Sequence, residues 1–273
     1  MDSIKDKIAN LARSMGRNVD TDNQYVDYNV LRKHYEEQAN QEIQQLQQRA
    51  KKERVQAIHG RSDLNPKWTF ANLMEDSDDV IEAVSIAQSF IAAHDDPSWR
   101  ESGSHMMLFY GDYGRGKSHI AGAIAHQLID QYEISVLYRQ LSTLQEMRYF
   151  SFDFNAQDNI GQKFREANQE LLDVDLLILD EVCVNESVLK KNTQSWLGNL
   201  LRQRLVNKKN CIIITNHNLN ELEHALGRYC FESIKEYDTY KVRFSGPSRR
   251  QELGQDEPET TASSSRYQPN QVR

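Results

Sequence analysis

The apolar residues of this chain fall into short continuous blocks separated by stretches of helical spacing. The blocks are Met106-Met107-Leu108-Phe109-Tyr110, Ile134–Tyr138, Asp175–Asp180, Cys211–Thr215 and Thr239–Phe244. Blocks of this length, apolar at consecutive rather than alternate positions, predict strands buried on both faces. Between them, Val80, Val84, Ala87 and Ile91 predict a helix over 78–93, and Ile120, Ala121, Ile124, Ala125 and Leu128 one over 118–130. Further helices are expected over 161–172 and 191–206, with a short one from Asn218; the aromatic stretch Tyr149–Phe154 reads as irregular. Strand and helix in alternation define an α/β class, a mostly parallel sheet flanked by helices on both faces.

The flanks are patterned differently. Ile4, Ile8 and Leu11 predict a short amphipathic helix, and residues 28–58 a longer, very polar one whose thin apolar stripe is Leu31, Tyr35, Ile43, Leu46, Ala50 and Ile58. A stripe so narrow buries little alone; the helix packs on the first one, on a partner, or stands as a solvated spacer. Its end is basic, with Arg49, Lys51, Lys52 and Arg54. The expected organisation is a helical N-terminal partner-binding region over 1–60, a linker over 61–75, the α/β domain over 76–253 and a disordered tail over 254–273.

Composition narrows the classes. Of 273 residues, 38% are hydrophobic and 27% charged, so one core carries polar extensions. No apolar run approaches the ~20 residues of a membrane span, and residues 1–7 lack a signal-peptide pattern, so the expectation is a cytoplasmic protein with no membrane partner. A net charge of −7 argues against coating nucleic acid by bulk charge but leaves room for a local basic groove. Cys183, Cys211 and Cys230 are widely spaced and read as buried small hydrophobes rather than a disulfide or zinc framework. His119 and His126 read as surface or packing residues.

The candidate chemistry sits at the ends of the predicted strands. Gly111-Asp112-Tyr113-Gly114-Arg115-Gly116-Lys117-Ser118 fits G-x-x-x-x-G-K-[ST] between a strand and a helix. In that setting Gly111, Gly114, Arg115, Gly116, Lys117 and Ser118 form a phosphate-binding loop. Lys117 reaches the β- and γ-phosphates, and the Ser118 hydroxyl holds Mg²⁺. Leu176-Leu177-Ile178-Leu179-Asp180-Glu181 is a buried strand ending in two acids. Asp180 is assigned to the Mg²⁺ water shell and Glu181 to the polarisation of an attacking water, which implies ATP and Mg²⁺ as ligands and hydrolysis as the reaction. Asn216, at the end of the next strand, is assigned to orienting that water.

The order and spacing of these motifs resemble those of AAA+ ATPases. More narrowly, Trp68-Thr69-Phe70-Ala71-Asn72-Leu73, Asp173–Val182 and Thr215-Asn216-His217-Asn218-Leu219-Asn220-Glu221-Leu222 resemble the bacterial helicase-loader family of DnaC and DnaI. IstB-type transposition ATPases are close relatives of that family. The resemblance implies an AAA+ core without a full lid domain and an ATPase; the absence of the family's arginine finger argues for slow turnover. The resemblance further implies a DnaB-type hexameric replicative helicase as partner through the N-terminal helices, self-association on that helicase, and single-stranded DNA as a second ligand. It places a sensor arginine at Arg250, with Arg249 beside it, and DNA contacts at Phe152 and Ser187, where Lys190 adds positive charge. It also marks a departure, because the position of the family's arginine finger holds Ser233; Arg228 and Lys235 are the nearest substitutes. A transposition helper on duplex DNA and a nucleotide-gated helicase adaptor with negligible turnover remain the alternative functions.

Overall fold

The computed structural model describes residues 10–11, 13–14, 28–74, 77–102, 104–151, 159–183 and 188–249. Phe152, Ser187, Arg250 and the 254–273 tail lie outside these residues, as does most of the helix expected around Ile4 and Ile8. Helix α1 (Tyr28–His59) leads into α2 (Asp78–Ala92), α3 (Pro97–Ser102), β1 (His105–Gly111), α4 (Lys117–Tyr132), β2 (Val136–Gln140) and α5 (Leu141–Phe150). Then follow α6 (Ile160–Asp173), β3 (Leu176–Asp180), α7 (Lys191–Val206), β4 (Asn210–Ile214), α8 (Leu219–Lys235) and β5 (Asp238–Phe244). The five strands form one sheet in the order β2-β3-β4-β1-β5, and every pairing is parallel.

The continuous apolar runs are explained by two cores, one on each face. Successive side chains of a strand point to opposite sides. Met106 and Leu108 of β1, Leu177 and Leu179 of β3, and Cys211 and Ile213 of β4 enter the core covered by α7 and α8. Met107 and Phe109, Leu176 and Ile178, and Ile212 and Ile214 enter the opposite core, covered by α2 and α4. Burying both faces leaves no solvent side, so alternation is lost from the sequence. All three cysteines are buried in the core as small hydrophobes.

Helix α3 and the exact span of β2, Val136–Gln140 rather than 134–138, are not expected from the sequence, and two further helices depart from it more widely. Residues 141–150 form helix α5, so Tyr149 and Phe150 end a helix instead of lying in an irregular stretch; only Leu141 and Leu144 of that helix are buried, too few for a clear period. The helix after Asn218 is long, running to Lys235. Asn218 caps it, accepting from the backbone N–H groups of Asn220 and Glu221 while Glu221 reaches back to the cap. Gly227, at φ +72°, kinks it midway.

One buried charge braces the far end of the sheet. Arg204 of α7 is wholly inaccessible and donates to the carbonyls of Leu171 (2.6 Å), Val174 (3.0 Å) and Asn210 (2.6 Å). It satisfies carbonyls at the end of α6, which the helix itself leaves without partners. The C-terminal end of α1 rests on the domain through Val55 and Ile58, whereas Tyr35, Ile43 and Leu46 stand exposed farther back along the helix. No helix among the described residues is long and apolar enough to cross a membrane.

Candidate active site

The strand order places β4 between β1 and β3, so three motif-bearing strand ends lie side by side. Backbone bonds tie them together: Thr215 N–H donates to Phe109 O and Val182 N–H to Ile214 O, both at 2.9 Å. The buried Thr215 hydroxyl donates to Val182 O at 2.8 Å. This lacing fixes Asp180, Glu181 and Asn216 relative to the glycine loop after β1. In an open parallel sheet the crevice at the carboxyl ends of the strands is where ligands bind.

The loop's shape explains its glycines. Gly111 has φ +112°, and a Cβ there would come 2.1 Å from Phe244 O of the neighbouring β5. Gly116, at φ +94°, turns the chain into α4, whose first two residues are Lys117 and Ser118. A helix N-terminus presents unpaired N–H groups and the positive end of its dipole, which suits phosphate. Lys117 is buried, and its ammonium donates to the carbonyls of Gly111 (2.8 Å) and Asp112 (2.6 Å), folded over the loop it serves.

A cavity of about 490 Å³ opens here, lined by Gly114, Arg115, Gly116, Lys117 and Ser118 from the loop and by Asp180, Glu181 and Asn216 from the other strand ends. Its remaining wall comes from Trp68, Asn72, Leu73 and Met74, and from Arg249. Segment 61–74, linker-like in composition, is packed against α4. His119 Nε2 lies 2.9 Å from Thr69 O, His126 Nε2 lies 3.0 Å from Asn65 O, and a Cβ at Gly122 would meet Trp68 at 2.7 Å. Thus both histidines brace this segment, His119 while also lining the cavity, and Gly122 is where helix and tryptophan touch.

The acids are held differently. Asp180 is buried; its Oδ1 accepts from Glu181 N–H at 2.7 Å and its Oδ2 from the Tyr138 hydroxyl. Ser118, the second residue of α4, lines the same cavity. Burial, then the neighbouring Asp180 charge, pushes the Tyr138 phenol far above its ordinary range, so it stays a donor. Glu181 is exposed and adopts φ +54°, turning off the end of β3 into the cavity. A hydroxyl and a carboxylate side by side are hard oxygen donors of the kind Mg²⁺ takes, with its other positions left to water and phosphate. Among the described residues no group of three or more His, Cys, Asp or Glu could hold a metal ion.

Arg115 lines the cavity while its guanidinium faces away from it. It donates to Asp79 (2.7 and 3.2 Å), to the Ser77 hydroxyl (2.8 Å) and to Pro247 O (3.0 Å), bracing the loop against α2 and the segment after β5. Desolvation by burial raises the Asp79 pKa, but bonds from Arg115, Ser77 and the Ser245 backbone outweigh it and hold the carboxyl at about 2. A depressed carboxyl contributes stability that is full above its unfolded value and lost as pH falls through the folded one. In urea unfolding at a series of pH values, Asp79→Asn should therefore be less stable than wild type at neutral pH. The two should converge as the pH drops from the ordinary carboxylate range toward about 2.

Arg249, next to the expected sensor position, lines the cavity, with bonds to Met74 O (2.8 Å) and the Ser77 hydroxyl (2.6 Å). Ser233, at the finger position, is wholly buried and donates to Tyr229 O at 3.1 Å. Of the two nearby cations, Lys235 pairs with Glu232 at 3.0 Å, whereas Arg228 is exposed just past the Gly227 kink. Lys190 is exposed at the start of α7. Tyr138 and Trp68 are site residues that pattern reasoning misses: Trp68 sits in a linker-like stretch, and the signal available for Tyr138 is a hydroxyl inside a strand buried on both faces.

Together the parallel sheet, the glycine loop and the acid-ended strand define a P-loop nucleotide-binding protein with an AAA+ core. Comparison with known proteins agrees. The IstB-like ATP binding protein family matches residues 29–232, and the chain belongs to that family. Among curated relatives, YdaV of Escherichia coli K12 is 26% identical over 200 residues, covering 72% of this chain and 75% of YdaV. The replicative helicase loader DnaC of the same organism is 23% identical over 205 residues, covering 71% and 78%. The crystal structure of DnaI has the same fold, with a TM-score of 0.54 at 18% identity over 67% of this chain and 96% of that one.

Proposed function

We propose that this chain is an ATP-dependent loader of a hexameric, DnaB-type replicative helicase onto single-stranded DNA. The observation that carries the catalytic half is the convergence of Lys117, Ser118, Asp180, Glu181 and Asn216 on one cavity. Lys117 and the α4 N-terminus hold the triphosphate, and Arg249 or Arg250 neutralises charge at its γ end. Ser118 and Asp180 would hold Mg²⁺, which supplies charge neutralisation on the phosphates. Glu181 accepts a proton from the water that Asn216 orients for attack. The apolar wall of Trp68, Leu73 and Met74 suits the base.

The partner half rests on α1. Tyr35, Ile43 and Leu46 are exposed on one arc of a helix that otherwise presents polar residues. An unpartnered apolar stripe of this kind is what a helix-in-groove contact uses. Lys190, Phe152 and Ser187 supply the contacts to DNA, and copies associate on the helicase with Arg228 as the cation offered to a neighbour. A buried Ser233 in place of a finger supports slow turnover, because an arginine in that role contributes ~10³-fold or more. The IstB-like family match keeps a transposition helper as the second reading. The test is co-purification of the full chain with the replicative helicase of its host at low salt. Wild type should bind, and Tyr35→Ser combined with Ile43→Ser and Leu46→Ser should abolish binding while leaving the melting temperature unchanged. Wild type that ignores the helicase would defeat the loader reading.

A further inference from the structure

Tyr138 lies where two parts of the molecule meet. Its side chain is almost inaccessible, and its hydroxyl donates to Asp180 Oδ2. Its ring packs at 5.5 Å against Trp68, which lines the same cavity. Its backbone holds the root of the N-terminal helix. Asp63 N–H donates to Tyr138 O at 3.1 Å, and Tyr138 N–H donates to the Ser62 hydroxyl at 2.8 Å. The next residue, Arg139, pairs with Asp63 at 3.4 Å. β2 is the edge strand of the sheet, so the chain leaving α1 takes up hydrogen-bonding positions that no further strand occupies.

We propose that Tyr138 is a positioning residue: it aims Asp180 at Mg²⁺, and through its backbone it ties that metal site to the base of α1. The inference rests on the nucleotide-binding reading above. Its physical basis is that a buried carboxylate with two rotatable oxygens needs fixed donors to present one lone pair to a cation. Hydrogen-bond partners of metal ligands typically contribute 10–100-fold to metal affinity. The ring cannot follow a shift of Asp180 without pressing on Trp68 or on the backbone that holds Ser62 and Asp63. The state of the metal site is therefore felt where α1 joins the domain.

The full chain tests this with a fluorescent, non-hydrolysable ATP analogue. Tyr138→Phe keeps the ring and removes the hydroxyl. Its affinity for the analogue in EDTA should stay within about twofold of wild type, which also shows that it folds. The Mg²⁺ concentration for half-saturation should rise about tenfold or more. An unchanged Mg²⁺ requirement overturns the positioning role alone, whereas wild type that binds no nucleotide overturns the site reading with it. Wild type also permits a test without any variant. Mg²⁺ added to the nucleotide-bound chain should slow hydrogen exchange at the Asp63 amide by about tenfold, by the ordinary relation between opening free energy and exchange protection. An Asp63 amide whose exchange ignores Mg²⁺ overturns the tie to α1.

Discussion

Glu181→Gln should bind ATP within a few-fold of wild type and hydrolyse it ~10²–10⁴-fold more slowly, the range a positioned general base supplies. The change removes a proton acceptor without altering shape. Glu181 is exposed in the cavity, so its carboxylate carries no fold of its own. Its backbone is held at φ +54° by the strand end, and Asp180 Oδ1 accepts its N–H at 2.7 Å, so the amide variant keeps the same anchor. Nucleotide binding and steady-state phosphate release, measured on one preparation, separate the two effects. A Glu181→Gln chain that turns over within tenfold of wild type would remove Glu181 from the chemistry and shift attention to Asn216.

Lys117→Ala should fail one step earlier, in binding. The ammonium stands 2.8 and 2.6 Å from the carbonyls of Gly111 and Asp112, inside the loop that meets the phosphates. Hydrogen bonds to charged groups contribute ~1.5–3 kcal/mol each, and a lysine bridging two phosphates makes more than one. A loss of ~3 kcal/mol is about a hundredfold in affinity. The variant also leaves two loop carbonyls without that donor, so a small fall in melting temperature should accompany it. The pair therefore discriminates: one variant binds without turning over, and the other does neither.

The sheet is legible in the sequence because its strands are buried on both faces and read as unbroken apolar runs. The glycine loop is legible because Gly111 and Gly116 occupy conformations that other residues adopt rarely. Helix α5 is not, since a helix that buries two residues and exposes Tyr149 and Phe150 has no clear period. Strand order is a long-range property, so nothing local says that β4 separates β1 from β3 and carries Asn216 between loop and acids. The same holds for side-chain direction. Arg115 is in the loop motif, yet its guanidinium is drawn to Asp79, a residue on another helix. Arg249 faces the cavity one position before the arginine that motif register selects. Tyr138 is invisible in sequence for a related reason: its role depends on Asp180 lying on the adjacent strand, where register pairs Gln140 with Asp180 and Tyr138 with Ile178.

The central claim is that the cavity beside the 111–118 loop binds ATP. The most direct test is calorimetric titration of the full chain with a non-hydrolysable ATP analogue and Mg²⁺, alongside Lys117→Ala. The account predicts saturable binding of one nucleotide per chain, weakened about a hundredfold by the variant. Wild type that binds no nucleotide, or a Lys117→Ala chain that binds as wild type does, would contradict it.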